Sequence, residues 1–183
     1  MSGPADEHRR IAGAFTDTVE GAAAASWDRP APVEGWVARD VVGHLVGWFP
    51  SFLHGVGIAV PAGPSVQEDP VGAWRTQCDA VQALLDDPVE AQRQHDFPHI
   101  GRMSLAQATD MIYTGDVFLH RWDLARATGQ DETLDPVKCA AMLEAMLPMD
   151  AILRASGQYG PRVSVPDDAD VQTRLLAFIG RTP

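Results

Sequence analysis

The sequence predicts an all-α fold, a four-helix bundle with additional short helices toward the C-terminus. Three observations predict it. Apolar residues recur at the helical period through most of the chain, Asp-Pro pairs and a Ser-x-x-Gln box stand where helices should begin, and no long stretch alternates with period two. The 183 residues suit one domain spanning 1–183. A chain of this size can bury about 70% of its unfolded surface and needs neither disulfide nor metal merely to fold.

The first helix is expected over residues 6–26, with Ile11, Phe15, Val19 and Ala22 on one stripe. Residues 27–36 form a loop stiffened by Pro30 and Pro32. A second helix begins near Ala38 and carries Val41, Val42, Leu45, Val46 and Trp48. Pro50 is expected to kink or shorten it, because its ring clashes with the preceding turn. Beyond a loop over 61–69, Asp69 caps a third helix and Pro70 fills its first position, where no N–H is needed; that helix reaches about Asp87. Residues 88–103 read as irregular, with a short extended piece at 94–97. Ser104-Leu-Ala-Gln107 fits a capping box and opens a long helix that stops at Gly129. Asp135-Pro136 repeats the Asp-Pro start and opens a helix to about Ser156 with Pro148 inside it. A Pro/Gly-rich turn then leads to a short amphipathic helix over 171–179.

Fourteen Lys+Arg against 25 Asp+Glu give a formal charge of −11. Nucleic acid and anionic membrane both demand a basic face, and no basic run exceeds Arg9-Arg10, so neither is expected as a partner. The N-terminus lacks the basic start and apolar stretch of a signal peptide. The longest mostly apolar segment, 41–62, is interrupted by two His, four Gly and two Pro, a poor match to the roughly 20 apolar residues of a membrane span. Cys78 and Cys139 are far apart and form no CxxC, so no disulfide framework is expected, and the address is cytoplasmic by default. Cys139 reads as core, and Cys78 is ambiguous.

Asp116 and His120 stand out on the long fourth helix. Four residues apart, they leave the same face one turn from each other, and that face continues to Tyr113 and Asp123. A carboxylate and an imidazole so placed can share a divalent ion with a third ligand from a facing helix, for which His44 is the obvious residue. The spacing admits a second reading, a hydrogen-bonded Asp–His pair beside a core histidine at 44. His8 lies near the terminus, His54 lies ten residues beyond His44, and His95 and His99 fall in the irregular stretch, where a surface loop is the plainer reading. Tyr113, His54 and Trp48 read first as bundle packing, with a place at a pocket mouth as the alternative. Trp36 and Trp122 read as core anchors. Asp40 and Asp123 could each orient an imidazole N–H, or could instead support a helix N-terminus (Asp40) and pair with Arg126 or Arg39 (Asp123). Arg121 and Arg126 are offset from the Asp116/His120 face and are expected in solvated salt bridges.

Three phrases carry a resemblance. Trp27-Asp-Arg-Pro-Ala-Pro-Val-Glu-Gly-Trp36, followed by Asp40-Val-Val-Gly-His44-Leu-Val-Gly47, resembles the opening of the DinB-like metal-binding families. Within them it is closest to an actinobacterial group similar to the N-terminal domain of mycothiol-dependent maleylpyruvate isomerase. Asp116-Val-Phe-Leu-His120-Arg-Trp-Asp-Leu-Ala-Arg-Ala-Thr-Gly129 resembles that group's second signature. Tyr159-Gly-Pro-Arg-Val-Ser-Val-Pro-Asp-Asp168 and Arg174-Leu-Leu-Ala-Phe-Ile-Gly-Arg181 resemble its tail. The resemblance implies a DinB-like bundle holding a divalent metal on His44, Asp116 and His120. That isomerase places a glutamate where this chain has Asp116, one methylene shorter. It also carries a further C-terminal domain contributing to its active site, for which this chain has no room, and this counts against the maleylpyruvate reaction itself.

Two imidazoles and one carboxylate leave a divalent ion an open position, as catalytic sites do. Zn is the expected ion, with Ni, Fe or Mn compatible with the same donors. A thiol at the open position would be held as thiolate, its nucleophilic form. The expectation is therefore a metal-dependent thiol S-transferase or isomerase, with mycothiol as the thiol the resemblance implies and an electrophilic small molecule as the second substrate. The competing expectations are a non-catalytic metal- or ligand-binding module, and a homodimeric interaction protein whose polar trio binds no metal.

Overall fold

The computed structural model describes residues 3–183, and its backbone falls into two compact units, 1–132 and 133–183. It is predominantly α-helical, with one two-stranded hairpin among the described residues. Among the described residues, no helix is long and apolar enough to cross a membrane.

In the first unit, α1 (Pro4–Gly21) begins with Pro4 at its first position and Asp6 and Glu7 in its first turn, where acidic groups complement the partial positive charge of the helix N-terminus. Ile11, Phe15 and Val19 bury one face. The helix stops at Gly21, short of the expected residue 26. Ala22 is extended, and a separate 3₁₀ turn covers Ala24–Ser26. The alanines favour helix, but the Thr18 carbonyl is taken by the Gln130 side-chain amide (2.7 Å), which satisfies the helix end from far along the chain.

Residues 27–37 form a tight loop closed by a bridge between Pro30 and Val37, with Gly35 at φ +78°. Next, α2 (Ala38–His54) is capped by Asp40, whose carboxylate accepts from the Val37 N–H at 2.9 Å. Asp40 thus takes the helix-end role. Of the two effects expected of Pro50, a kink or a shortening, the shortening does not occur, and the helix runs past it to His54. Its missing N–H costs one bond of the ladder, but Leu45, Phe49 and Leu53 on either side of it are wholly buried, and that packing carries the helix through.

The Asp69 carboxylate accepts from the Gly72 N–H (2.8 Å) and starts α3 (Pro70–Asp86). Asp87 repeats the device for a five-residue helix, α4 (Pro88–Gln92), in the stretch expected to be irregular. The extended piece at β1 (Gln94–Phe97) is present and pairs antiparallel with β2 (Gly101–Ser104), in the register Gln94↔Ser104 to Phe97↔Gly101. With four residues per strand, β2 is too short for a legible alternation. The capping box forms as expected: Ser104 Oγ accepts from the Gln107 N–H, and Gln107 Oε1 from the Ser104 N–H. It opens α5 (Leu105–Ala108), which widens into a π-helical turn over Thr109–Thr114 and continues as α6 (Gly115–Thr128) to Gly129 in the left-handed conformation.

Helices α1 and α2 each pack against both α3 and α6, closing a ring of four. Its core holds Phe15, Leu45, Phe49, Leu53, Trp74, Tyr113 and Trp122. The buried indole N–H of Trp74 donates to Thr16 Oγ1 at 2.8 Å.

In the second unit, Asp135 caps α7 (Pro136–Met146). The single helix expected to reach residue 156 is interrupted by a 3₁₀ turn at Leu147–Met149, after which α8 (Asp150–Ala155) resumes. Pro148 lies in the first positions of that 3₁₀ turn, where its missing N–H costs no intrahelical bond. Asp170 caps α9 (Val171–Phe178), which packs on α7. The Arg154 guanidinium donates to the Gly160 and Phe178 carbonyls and stacks over the Phe178 ring.

Candidate metal centre

Helices α2 and α6 present the three residues that stand out in the sequence to one another. One ligand atom from each of His44, Asp116 and His120 lies within 4.8 Å of the other two. His44 Nε2 is 3.1 Å from Asp116 Oδ2, His120 Nε2 is 3.4 Å from Asp116 Oδ1, and the two imidazole centroids are 4.8 Å apart. Asp116 and His120 share a face because they are one turn apart on α6. The preceding π-helical turn shifts the register just before them, so the start of α6 and the end of α5 do not present a single continuous helical face. The His120 side chain is buried, whereas those of His44 and Asp116 retain 32% and 23% exposure, which leaves the trio open on one side.

The donors are arranged to keep the imidazole nitrogens aimed inward. Asp123 Oδ2 lies 2.9 Å from His120 Nδ1, and Asp123 is buried. A carboxylate there accepts, so Nδ1 is the nitrogen that donates to Asp123 and Nε2 is the one that faces Asp116. Burial works against the charge of Asp116, but the neighbouring His120, the hydrogen bond and charge of His44, and the Trp48 N–H together outweigh it and hold the carboxyl below its usual range. Two imidazoles and an ionised carboxylate, converging with one imidazole backed by a buried acid, are a donor set that fits a divalent ion.

Two indoles shape this site: Trp36, which the pattern placed in the core, and Trp48, for which a place at a pocket mouth was the alternative to bundle packing. Trp36, expected as a core anchor, is half-buried on the tight loop and lies against both histidines, with ring centroids 5.2 Å from His44 and 5.8 Å from His120. Trp48 donates its N–H to Asp116 Oδ2 at 2.9 Å. Tyr113 is wholly buried and stacked on Phe49 at 3.9 Å, so it belongs to the core and not to a pocket mouth. Its hydroxyl accepts from the Gln77 amide at 3.5 Å, and burial pushes its ionisation up.

The remaining histidines stay apart from the trio. His8 is wholly buried, stacked on Tyr113, with Nδ1 3.2 Å from Thr114 Oγ1. His54 is exposed at the end of α2. His95 packs on Phe97 in the hairpin, and His99 sits in the hairpin turn at φ +69°. Arg126 pairs with Glu132 at 2.9 Å and lies over Trp122. Burial pushes the Cys78 thiol up and the Cys139 thiol up to about 11, so neither is poised as a nucleophile.

Comparison with known proteins adds a family match. Residues 8–125 match the model of the mycothiol maleylpyruvate isomerase N-terminal domain. The chain is similar over its length to two proteins of Mycobacterium tuberculosis, each described as uncharacterized, one from strain CDC 1551 and one from strain H37Rv. Each is 28% identical over 182 residues, covering 98% of either chain. No solved structure matches.

Proposed function

The chain belongs to the mycothiol maleylpyruvate isomerase N-terminal domain family, and from that premise we propose that it is a divalent-metal protein acting on a thiol, as an S-transferase or isomerase with a mycothiol-type co-substrate. The observation that carries this reading is the convergence of His44, Asp116 and His120 within 4.8 Å. These three would hold the ion, Zn by preference, with Ni, Fe or Mn accepted by the same donors. When bound, a divalent ion supplies the positive charge that favours the thiolate over the thiol.

The chain's own residues do the rest. Asp123 keeps the proton on His120 Nδ1, so that Nε2 serves as a neutral donor. Trp36 lays its ring against both histidines and gives the site one apolar wall. The partial exposure of His44 and Asp116 gives a small thiol and an electrophile a route in. Neither cysteine of the chain has the surroundings of a nucleophile, so the attacking sulfur comes from the co-substrate.

The test is elemental analysis of untagged protein beside the His44→Ala variant, after offering Zn, Ni, Fe(II) and Mn separately. About one equivalent in the parent and little in the variant is expected for a three-residue site. Consumption of electrophiles that requires both added thiol and bound metal then separates an enzyme from a module that merely binds an ion. A parent that takes up none of the four ions would sink the reading.

A further inference from the structure

We infer that Trp48 is a positioning residue for the Asp116 carboxylate, holding Oδ2 through its indole N–H so that Oδ1 is the oxygen left for an ion. The inference rests on the reading of His44, Asp116 and His120 as metal ligands. Trp48 follows His44 by one turn on α2, so both side chains leave the same face of the helix and reach the same acid. The indole plane is fixed from three sides: Phe49, Phe52 and Tyr113 meet it edge-on, with centroids 5.3, 6.2 and 5.8 Å away. These contacts pack the ring with its N–H aimed at Oδ2, 2.9 Å away.

The chemistry distinguishes this contact from its neighbour. His44 Nε2 also lies on Oδ2, at 3.1 Å, and can donate there only while it carries a proton. Binding an ion requires that nitrogen bare, so the His44–Asp116 hydrogen bond and ligation through Nε2 exclude each other. An indole nitrogen can only donate, and it does so in either state. Trp48 is therefore the donor that still orients the carboxylate once the imidazole is committed elsewhere. It also makes the two oxygens unequal, because Oδ1 faces His120 Nε2 at 3.4 Å without an indole donor.

The experiment has two arms on the full chain. In the metal-free protein, the Trp48 indole N–H resonance is assigned by its loss in Trp48→Phe. Asp116→Asn should move it upfield, because a charged acceptor is replaced by a neutral one. The Trp74 indole, bonded to Thr16, should stay in place. In the second arm, Zn titration by calorimetry should give Trp48→Phe unchanged stoichiometry with affinity lower by about 10–100-fold, the usual cost of losing a partner that orients a ligand. Leu53→Ala, which opens the buried face of the same helix without touching an N–H, separates this from general loosening and should bind Zn within about threefold of the parent. An unmoved Trp48 resonance in Asp116→Asn, or parental Zn affinity in Trp48→Phe, overturns the inference. A parent that binds no ion at all overturns the metal reading instead, and the resonance arm still decides whether Trp48 holds Asp116.

Discussion

Asp123 Oδ2 lies 2.9 Å from His120 Nδ1, three residues further along the same helix, and both side chains are buried. The pair fixes which imidazole nitrogen carries the proton, and so which one is offered to an ion. Asp123→Asn keeps an acceptor of the same shape but removes its charge, which lowers the basicity of Nε2. Zn affinity is expected to fall by about tenfold or more while the fold persists, measured by calorimetry beside a thermal melt. Parental affinity in this variant would show that Asp123 serves the core and not the site.

Replacing the ligands themselves should act more sharply. His120→Ala is expected to abolish stoichiometric metal, and Asp116→Asn to weaken it, since a neutral amide forfeits attraction to the cation. Metal should also dissociate as pH falls from about 7 to about 5, because protons compete for the imidazole lone pairs. Full occupancy of His120→Ala, or a flat affinity across that range, would argue against a site built on two histidines.

Helix beginnings were legible because they are local chemistry. Asp69-Pro70, Asp135-Pro136 and the Ser104/Gln107 box each place an acceptor over orphan N–H groups within three residues of themselves. Helix ends and interruptions were less so, because distant residues set them. The end of α1 depends on Gln130, and the passage of α2 through Pro50 depends on the burial of Phe49 and Leu53. The same division runs through the site. Asp116 and His120 announce themselves by spacing on one helix. Asp123 can reach His120 three residues back or Arg126 three residues on, and sequence alone does not choose between them. Trp36 comes from a loop whose closure by Pro30 and Val37 determines where its ring falls.

Gly180 and Gly157 offer a paired test of the second unit. Both have positive φ, +87° and +72°. A Cβ at Gly180 would also meet Gly160 Cα at 2.8 Å, whereas one at Gly157 meets nothing within 4 Å. Gly157→Ala should cost about 1 kcal/mol, the strain of the left-handed backbone alone. Gly180→Ala should cost roughly 1–3 kcal/mol more, because backbone must also move apart. Urea unfolding of the two variants checks this, and equal losses would mean that the close approach of Gly160 and Gly180 yields freely.

His8 gives the fold a pH dependence whose sign follows from its burial. Burial, and secondarily the charge of Arg9, lower its pKa from 6.5 to about 4, with Asp86 opposing. Between those values the unfolded chain binds a proton that the folded chain refuses. The contribution of neutral His8 is therefore fully present above about pH 6.5 and is lost as pH falls toward about 4, by about 3 kcal/mol over the whole window. Other groups titrate there too, so the useful quantity is the stability difference between the parent and His8→Gln, which keeps a polar side chain but cannot take up the proton. That difference should shrink, or reverse in favour of the variant, as pH is lowered from about 7 to about 4.5 in urea titrations. A difference that stays flat would mean that His8 is protonated in the folded state, with its charge met inside the ring of four helices.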